Sequence, residues 1–202
     1  MRPLRPIPWT FCAALGIAWC AAVVWGFGWL SEYTNTPGAS AKASISWPAG
    51  ATVQRDGSLP TLVLFAHPYC PCTAATVEEL DRLLSHCADR VTTRVLIYSD
   101  PSLGPEWARG ALWDRIARIP GVLIQEDPLG AQAALFGART SGQVCLYSAN
   151  GKLLFSGGIT PSRGHEGDNL GRTSVLDILD GCGGATTTPV YGCALAAETG
   201  GQ

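Results

Sequence analysis

Apolar runs and amphipathic stretches alternate along the chain, and their order lays out its elements. Trp9 to Leu30 (WTFCAALGIAWCAAVVWGFGWL) is apolar and uncharged from end to end, and about 20 such residues suffice to cross a bilayer as a helix. Residues 31–58 then lose all sustained periodicity and are rich in Ser, Ala, Gly, Pro and Thr, the composition of a flexible linker. Thr61 to Ala66 (TLVLFA) is a continuous apolar run of strand length, as a central strand buried on both faces requires. From Thr73 the spacing changes. Val77, Leu80, Leu84 and Cys87 recur at helical steps with Glu78, Glu79, Asp81 and Arg82 mostly between them, which predicts an amphipathic helix.

Val91 to Tyr98 reads as a second strand, and a helix is expected from Pro105 to Arg118 with proline at its favourable first position. Gly121 to Gln125 is a short strand. Asp127 to Phe136 is a short helix with Asp127 as its cap and Pro128 just inside. Gln143–Ser148 and Lys152–Ser156 flank Asn150-Gly151, a strong hairpin signal. A last helix is expected from Thr173 to Leu179, followed by a Gly/Thr-rich tail over 181–202. Strands alternating with helices and ending in a hairpin describe an α/β domain over 59–180, a central mixed sheet flanked by helices.

Charge places the first segment. Arg2 and Arg5 precede the apolar run and no Lys or Arg follows until Lys42, so the positive-inside rule keeps residues 1–8 in the cytoplasm and puts everything beyond the 9–30 anchor outside. Trp9, Trp25 and Trp29 sit toward the ends of the span, where indoles favour the interface. A cleaved signal peptide is the competing reading, because Ala39-Ser40-Ala41 looks like a cleavage signature; the long apolar run favours an anchor. A single-pass inner-membrane protein with a periplasmic domain is expected. The formal net charge of −2 shows no basic excess, so nucleic acid is not an expected partner.

Chemistry concentrates in HPYCPCT, residues 67–73, where the first strand meets the first domain helix. A thiolate at a helix start is stabilised by unpaired N–H groups and the helix dipole. Cys70 and Cys72 stand there, and a disulfide between them would close a small, strained and easily reduced ring. Thiol–disulfide exchange with a protein or small-thiol partner, needing no cofactor, is the leading reading. Copper(I) held by Cys70, Cys72 and His67 follows, then peroxide reduction and a structural bridge. Zinc sites usually space their cysteines further apart. His67 is a candidate thiolate stabiliser, proton carrier or ligand, and Thr73 a cap or loop hydrogen-bonding residue.

The chain has eight cysteines. Cys12 and Cys20 belong to the span, while Cys87 and Cys145 read as inert core residues. Cys182 and Cys193 lie in the tail, where they bridge each other, resolve a mixed disulfide at Cys70 or Cys72, or have no redox role. In the glycine-flanked loop 164–169, His165, Glu166 and Asp168 form either a wall beside the cysteines, able to move protons or bind a metal, or an ordinary turn.

Over residues 59–180 this order of elements, with a two-cysteine loop at a helix start, resembles the thioredoxin-like superfamily. HPYCPCT (67–73), TSGQVCLYS (140–148), LLFSGGITPSRGHEGDN (153–169) and TPVYGC (188–193) together are similar to RedB-type proteins, a membrane-anchored, exported branch. The resemblance implies thiol chemistry outside the cytoplasm. It places Ser141 and Gly142 as an active-site wall, where thioredoxins carry a cis-proline. Two departures matter: one residue rather than two separates Cys70 from Cys72, and that proline is missing. A copper-binding assembly factor and a non-catalytic redox sensor are the alternatives to an exchange enzyme.

Overall fold

The computed structural model describes residues 8–39, 42–87 and 89–195; residues 1–7, most of the Ala39-Ser40-Ala41 signature and the end of the expected tail lie outside the described residues. The chain divides into two units, Met1–Thr36 and Pro37–Gln202. In the first, the apolar run forms α1 (Trp9–Asn35). It continues past Leu30 because polar side chains close its last turn: Thr34 donates to the Leu30 carbonyl at 2.7 Å and Asn35 to that of Ser31 at 2.8 Å. Among the described residues it is the one helix long and apolar enough to cross a membrane.

The second unit is built on β1 (Thr61–Ala66), α2 (Pro71–Cys87), β2 (Thr92–Ser99), α3 (Ala111–Ile116), β3 (Val122–Pro128), α4 (Ala131–Phe136), β4 (Gln143–Tyr147), β5 (Leu153–Gly157) and α5 (Leu170–Leu179). Its strands form one sheet in the order β3-β2-β1-β4-β5. The first three run parallel, β4 pairs antiparallel with β1, and β5 with β4. This is the mixed sheet flanked by helices that the sequence predicts.

Helix ends differ from the periodicity for local reasons. Residues 105–109 form turns rather than helix, and α3 starts only after Gly110. Pro128 belongs to β3, not to a helix; the chain then turns through Leu129 and Gly130 at positive φ. Asp127 still caps α4, across that turn, accepting the N–H groups of Gln132 and Ala133 at 2.7 and 2.9 Å. α5 begins at Leu170 because Asn169 accepts the Arg172 N–H at 2.8 Å.

Both faces of the sheet are buried, as the unbroken apolar run of β1 requires. Leu62, Leu64 and Ala66 face a core completed by Val77, Leu80 and Leu84 of α2, Ile116 of α3 and Val175 of α5. Val63 and Phe65 face a second core. On that side α4 offers only Ala133 and Phe136, and the residues expected as a linker fill the rest. Val53 is buried, and Trp47 packs edge-on against Phe136 and Tyr147 with ring centroids 5.0 and 5.2 Å apart. Backbone bonds from Trp47 N to Gly151 O (2.7 Å) and from Leu153 N to Ile45 O (3.0 Å) tie the segment to the hairpin. Leu195, in the expected tail, joins the same core.

Candidate active site

Cys70 ends the loop after β1, and Pro71, which has no N–H to leave unpaired, opens α2. The Cys70 side chain therefore sits where the helix presents its unpaired N–H groups. Burial works against a thiolate here. Hydrogen bonds from the Thr73 hydroxyl, the Cys193 thiol and N–H, and the Thr73 N–H outweigh it and hold Cys70 below the ordinary thiol range. The Thr73 hydroxyl is itself fed from behind. Its oxygen lies 2.6 Å from Ser141 Oγ, and Ser141 Oγ accepts the His67 N–H at 2.7 Å. If each hydroxyl gives its one proton forward, the chain runs from His67 N–H through Ser141 and Thr73 to the Cys70 sulfur, with every donor spent.

Two more thiols share this corner. Cys193 Sγ lies 3.1 Å from Cys70 Sγ, and the Cys193 N–H points at the same sulfur at 3.4 Å. Burial and the hydrogen bond to Cys70 push the Cys193 thiol up to about 12, so the proton between the two sulfurs belongs to Cys193. Cys72, in the first turn of α2, is raised by burial and by the negative charge of Cys70, and the Arg163 guanidinium opposes that rise. Of the three thiols, Cys70 is the one whose surroundings favour ionisation, while those of Cys72 and Cys193 oppose it.

No family model and no curated protein matches the chain. Solved structures do. An uncharacterized conserved protein of Geobacillus kaustophilus is similar over 83% of this chain and 94% of its own, with a TM-score of 0.59 and 18% identity. A hypothetical protein of Sinorhizobium meliloti is similar over 82% and 96%, at 0.59 and 22%. The thioredoxin domain of a thiol-disulfide oxidoreductase from Bacteroides vulgatus matches over 71% and 98%, at 0.47 and 15%, too distant to argue from. At such identities the likeness is one of fold. The shared fold is the mixed five-stranded sheet flanked by helices described above.

Within this domain the structure gathers some of the expected residues and scatters others. Cys70, Cys72, Thr73, Ser141 and Cys193 converge. Gly142 lies behind them, its N–H bonded to Phe65 O at 2.8 Å and its Cα pressed against Thr76. His67 is adjacent, but its Nδ1 accepts the Tyr69 N–H at 3.2 Å, its ring is boxed by Tyr98 and Trp107, and burial lowers its pKa. It is a neutral aromatic packing residue whose backbone, not its ring, serves the thiolate.

His165, Glu166 and Asp168 form no wall. His165 is bonded to the Arg163 carbonyl, Glu166 pairs with Arg82 at 2.6 Å, and Asp168 is fully exposed with Arg172 as its partner. The charged group this loop sends to the cysteines is Arg163, which also donates to Gly192 O at 2.6 Å. Arg163 carries no motif signal among its more conspicuous neighbours. The loop is held by Glu79, expected on the polar side of its helix and in fact fully buried. Glu79 accepts from Arg82 (2.6 Å), the Gly167 N–H (2.9 Å) and Asn169 (3.2 Å), and pairs with Arg172.

Cys182 is exposed beyond α5 and turned to the Asp180 carbonyl, whereas Cys193 lies against Cys70, so of the three readings of this pair the structure brings Cys193 to Cys70 and not to Cys182. Cys87 and Cys145 are buried, and burial pushes both up to about 11, which leaves them protonated at neutral pH. Among the described residues no group of three or more His, Cys, Asp or Glu side chains is arranged to hold a metal ion.

Proposed function

We propose that the protein is a membrane-anchored thiol–disulfide oxidoreductase acting outside the cytoplasm, with Cys70 as its attacking thiolate. The observation that carries this is the environment of Cys70, where donors from Thr73 and Cys193 favour the thiolate against burial while neighbouring thiols stay protonated. A thiolate is the nucleophile of exchange, and a second thiol within reach is what releases the partner afterwards. Cys70 attacks a partner disulfide, one partner sulfur leaves as a thiolate, and a second cysteine displaces the other. Electrons pass between sulfurs throughout, so the reaction uses no cofactor. Tyr69, exposed over the loop, and a hollow lined by Pro71, Ala74, Leu112 and Arg115 beside Cys70 offer a protein or small-thiol partner its first contacts.

Location follows from α1 together with Arg2 and Arg5 before it, which orient the domain outward. The four stretches that resemble RedB-type proteins accord with an exported, anchored protein. The test is a redox titration of the full chain in detergent micelles, with thiol trapping and peptide mass spectrometry. A cysteine pair containing Cys70 is expected to interconvert between about −270 and −120 mV, the span of known oxidoreductases. Cysteines that stay reduced across that window overturn exchange. Copper(I) binding by the same thiols then becomes the reading to test, by metal analysis.

A further inference from the structure

Cys70 is nearly inaccessible, with 4% of its surface exposed. What covers it is the chain's C-terminal segment. Residues 186–190 run beside β5, with Ser156 N bonded to Thr186 O (3.0 Å) and Gly158 N to Pro189 O (3.2 Å). The chain then crosses to the loop before β4 and pairs with it as an antiparallel strand. Ser141 N donates to Cys193 O at 2.8 Å, Leu195 N donates to Arg139 O at 2.9 Å, and Thr140 bridges Ala194. Arg163 holds the Gly192 carbonyl, and Leu195 is buried beneath at 4% exposure.

Gly192 makes the approach possible, because a Cβ there would overlap the Ser141 carbonyl oxygen. The residue this strand delivers to the nucleophile is a cysteine, 3.1 Å from Cys70. An extended segment paired by its main chain with another stretch of backbone, with one side chain fitted at a specific position, is how a peptide is recognised by strand addition.

We infer that residues 188–195 are a tethered substrate: they pair with the loop Arg139–Ser141 where an extended, disulfide-bearing segment of a partner docks, and Cys193, not Cys72, is the resolving cysteine. The inference rests on the exchange reading above. The segment releases the loop, the partner's strand takes its place, and Cys70 attacks the partner disulfide, forming a Cys70–partner bond and freeing one partner thiolate. The segment then re-pairs. Cys193 gives its proton to the departing thiolate and attacks the Cys70 sulfur, so that a Cys70–Cys193 disulfide forms and the partner leaves with both sulfurs reduced. Two electrons have passed from Cys70 and Cys193 to the partner. Cys72 lies on the helix side of Cys70 and has no part in this step.

The test uses the full chain in detergent with oxidised glutathione as the probe disulfide, and compares Cys193→Ser, Cys72→Ser and Gly192→Val with the wild type. Cys193→Ser is expected to accumulate a glutathione adduct on Cys70 that clears at least tenfold more slowly than in Cys72→Ser. Gly192→Val keeps every thiol but pushes the segment off, and is expected to raise the alkylation rate of Cys70 by iodoacetamide about tenfold. An adduct that accumulates in Cys72→Ser and clears normally in Cys193→Ser overturns the assignment while leaving exchange intact. So does Cys70 alkylation in Gly192→Val no faster than in the wild type. No adduct in any protein, with no reduction of glutathione disulfide by the wild type, overturns the exchange reading and this one with it.

Discussion

At the scale of the residue, identical thiols differ because of what surrounds them. Burial dominates at Cys145 and Cys87 and keeps them protonated, whereas Cys70, nearly as buried, accepts enough hydrogen bonds to favour its thiolate. The donor that matters most is the Thr73 hydroxyl, so its replacement by an isosteric apolar group isolates the effect. Alkylation of Cys70 rises with pH as the thiol loses its proton, and in the wild type its midpoint is expected below the ordinary thiol value of about 8.5. Thr73→Val is expected to move that midpoint up by about one unit, roughly 1.4 kcal/mol, as befits one hydrogen bond to a charged group. Near pH 7 the variant should react up to about tenfold more slowly, and well above both midpoints equally fast. A pH–rate profile by stopped flow checks this, and superimposable profiles would remove Thr73 from the site. That Cys70 stands at a helix start was legible in the sequence, because strand and helix periodicity meet there. That the His67 ring packs on Tyr98 and Trp107 was not, since both arrive from later in the chain.

At the scale of the element, the loop between β5 and α5 owes its conformation to a helix it does not adjoin. Glu79 of α2 binds Arg82, Arg172, the Gly167 N–H and Asn169 at once, and so fixes the loop from which Arg163 reaches Cys72. Removing one member of a buried ionic group leaves the others uncompensated, at a cost of about 3–5 kcal/mol. Arg82 and Arg172 retain some solvent, so Glu79→Ala is expected at the lower end, about 3 kcal/mol. It should also loosen Arg163 and let the Cys72 pKa rise. Urea unfolding and Cys72 alkylation measure the two effects, and an unchanged urea midpoint would reduce Glu79 to a surface charge. Helical periodicity marks Glu79 as polar and therefore as solvated; its burial follows from α5 packing on α2, which no local pattern records. Capping shows the opposite case. Asp127 was recognisable as a cap, yet the turn at Leu129 and Gly130 sets it five residues ahead of the first N–H it accepts, that of Gln132.

At the scale of the whole domain, a sheet buried on both faces needs two covers, and its helices supply only one. α2, α3 and α5 cover the first face. The second has one short helix, and the stretch around Trp47 together with Leu195 completes it. Trp47→Ala is therefore expected to destabilise the domain by about 2 kcal/mol, less than the 3–5 of a fully buried large aromatic because Trp47 keeps partial exposure. A change in a free linker would stay within about 0.5 kcal/mol. Thermal unfolding of the full chain decides between the two. By itself the sequence determined the α/β order, the long apolar N-terminal helix, the hairpin and the junction that carries Cys70, since each rests on contacts between near neighbours and leaves a periodic or compositional trace. Only the tertiary structure decided which thiol meets Cys70, which charge meets Cys72, and that an irregular linker and tail close the second core. Those pairings join residues far apart in the chain, through single side chains and backbone bonds that impose no repeating pattern on the residues between them.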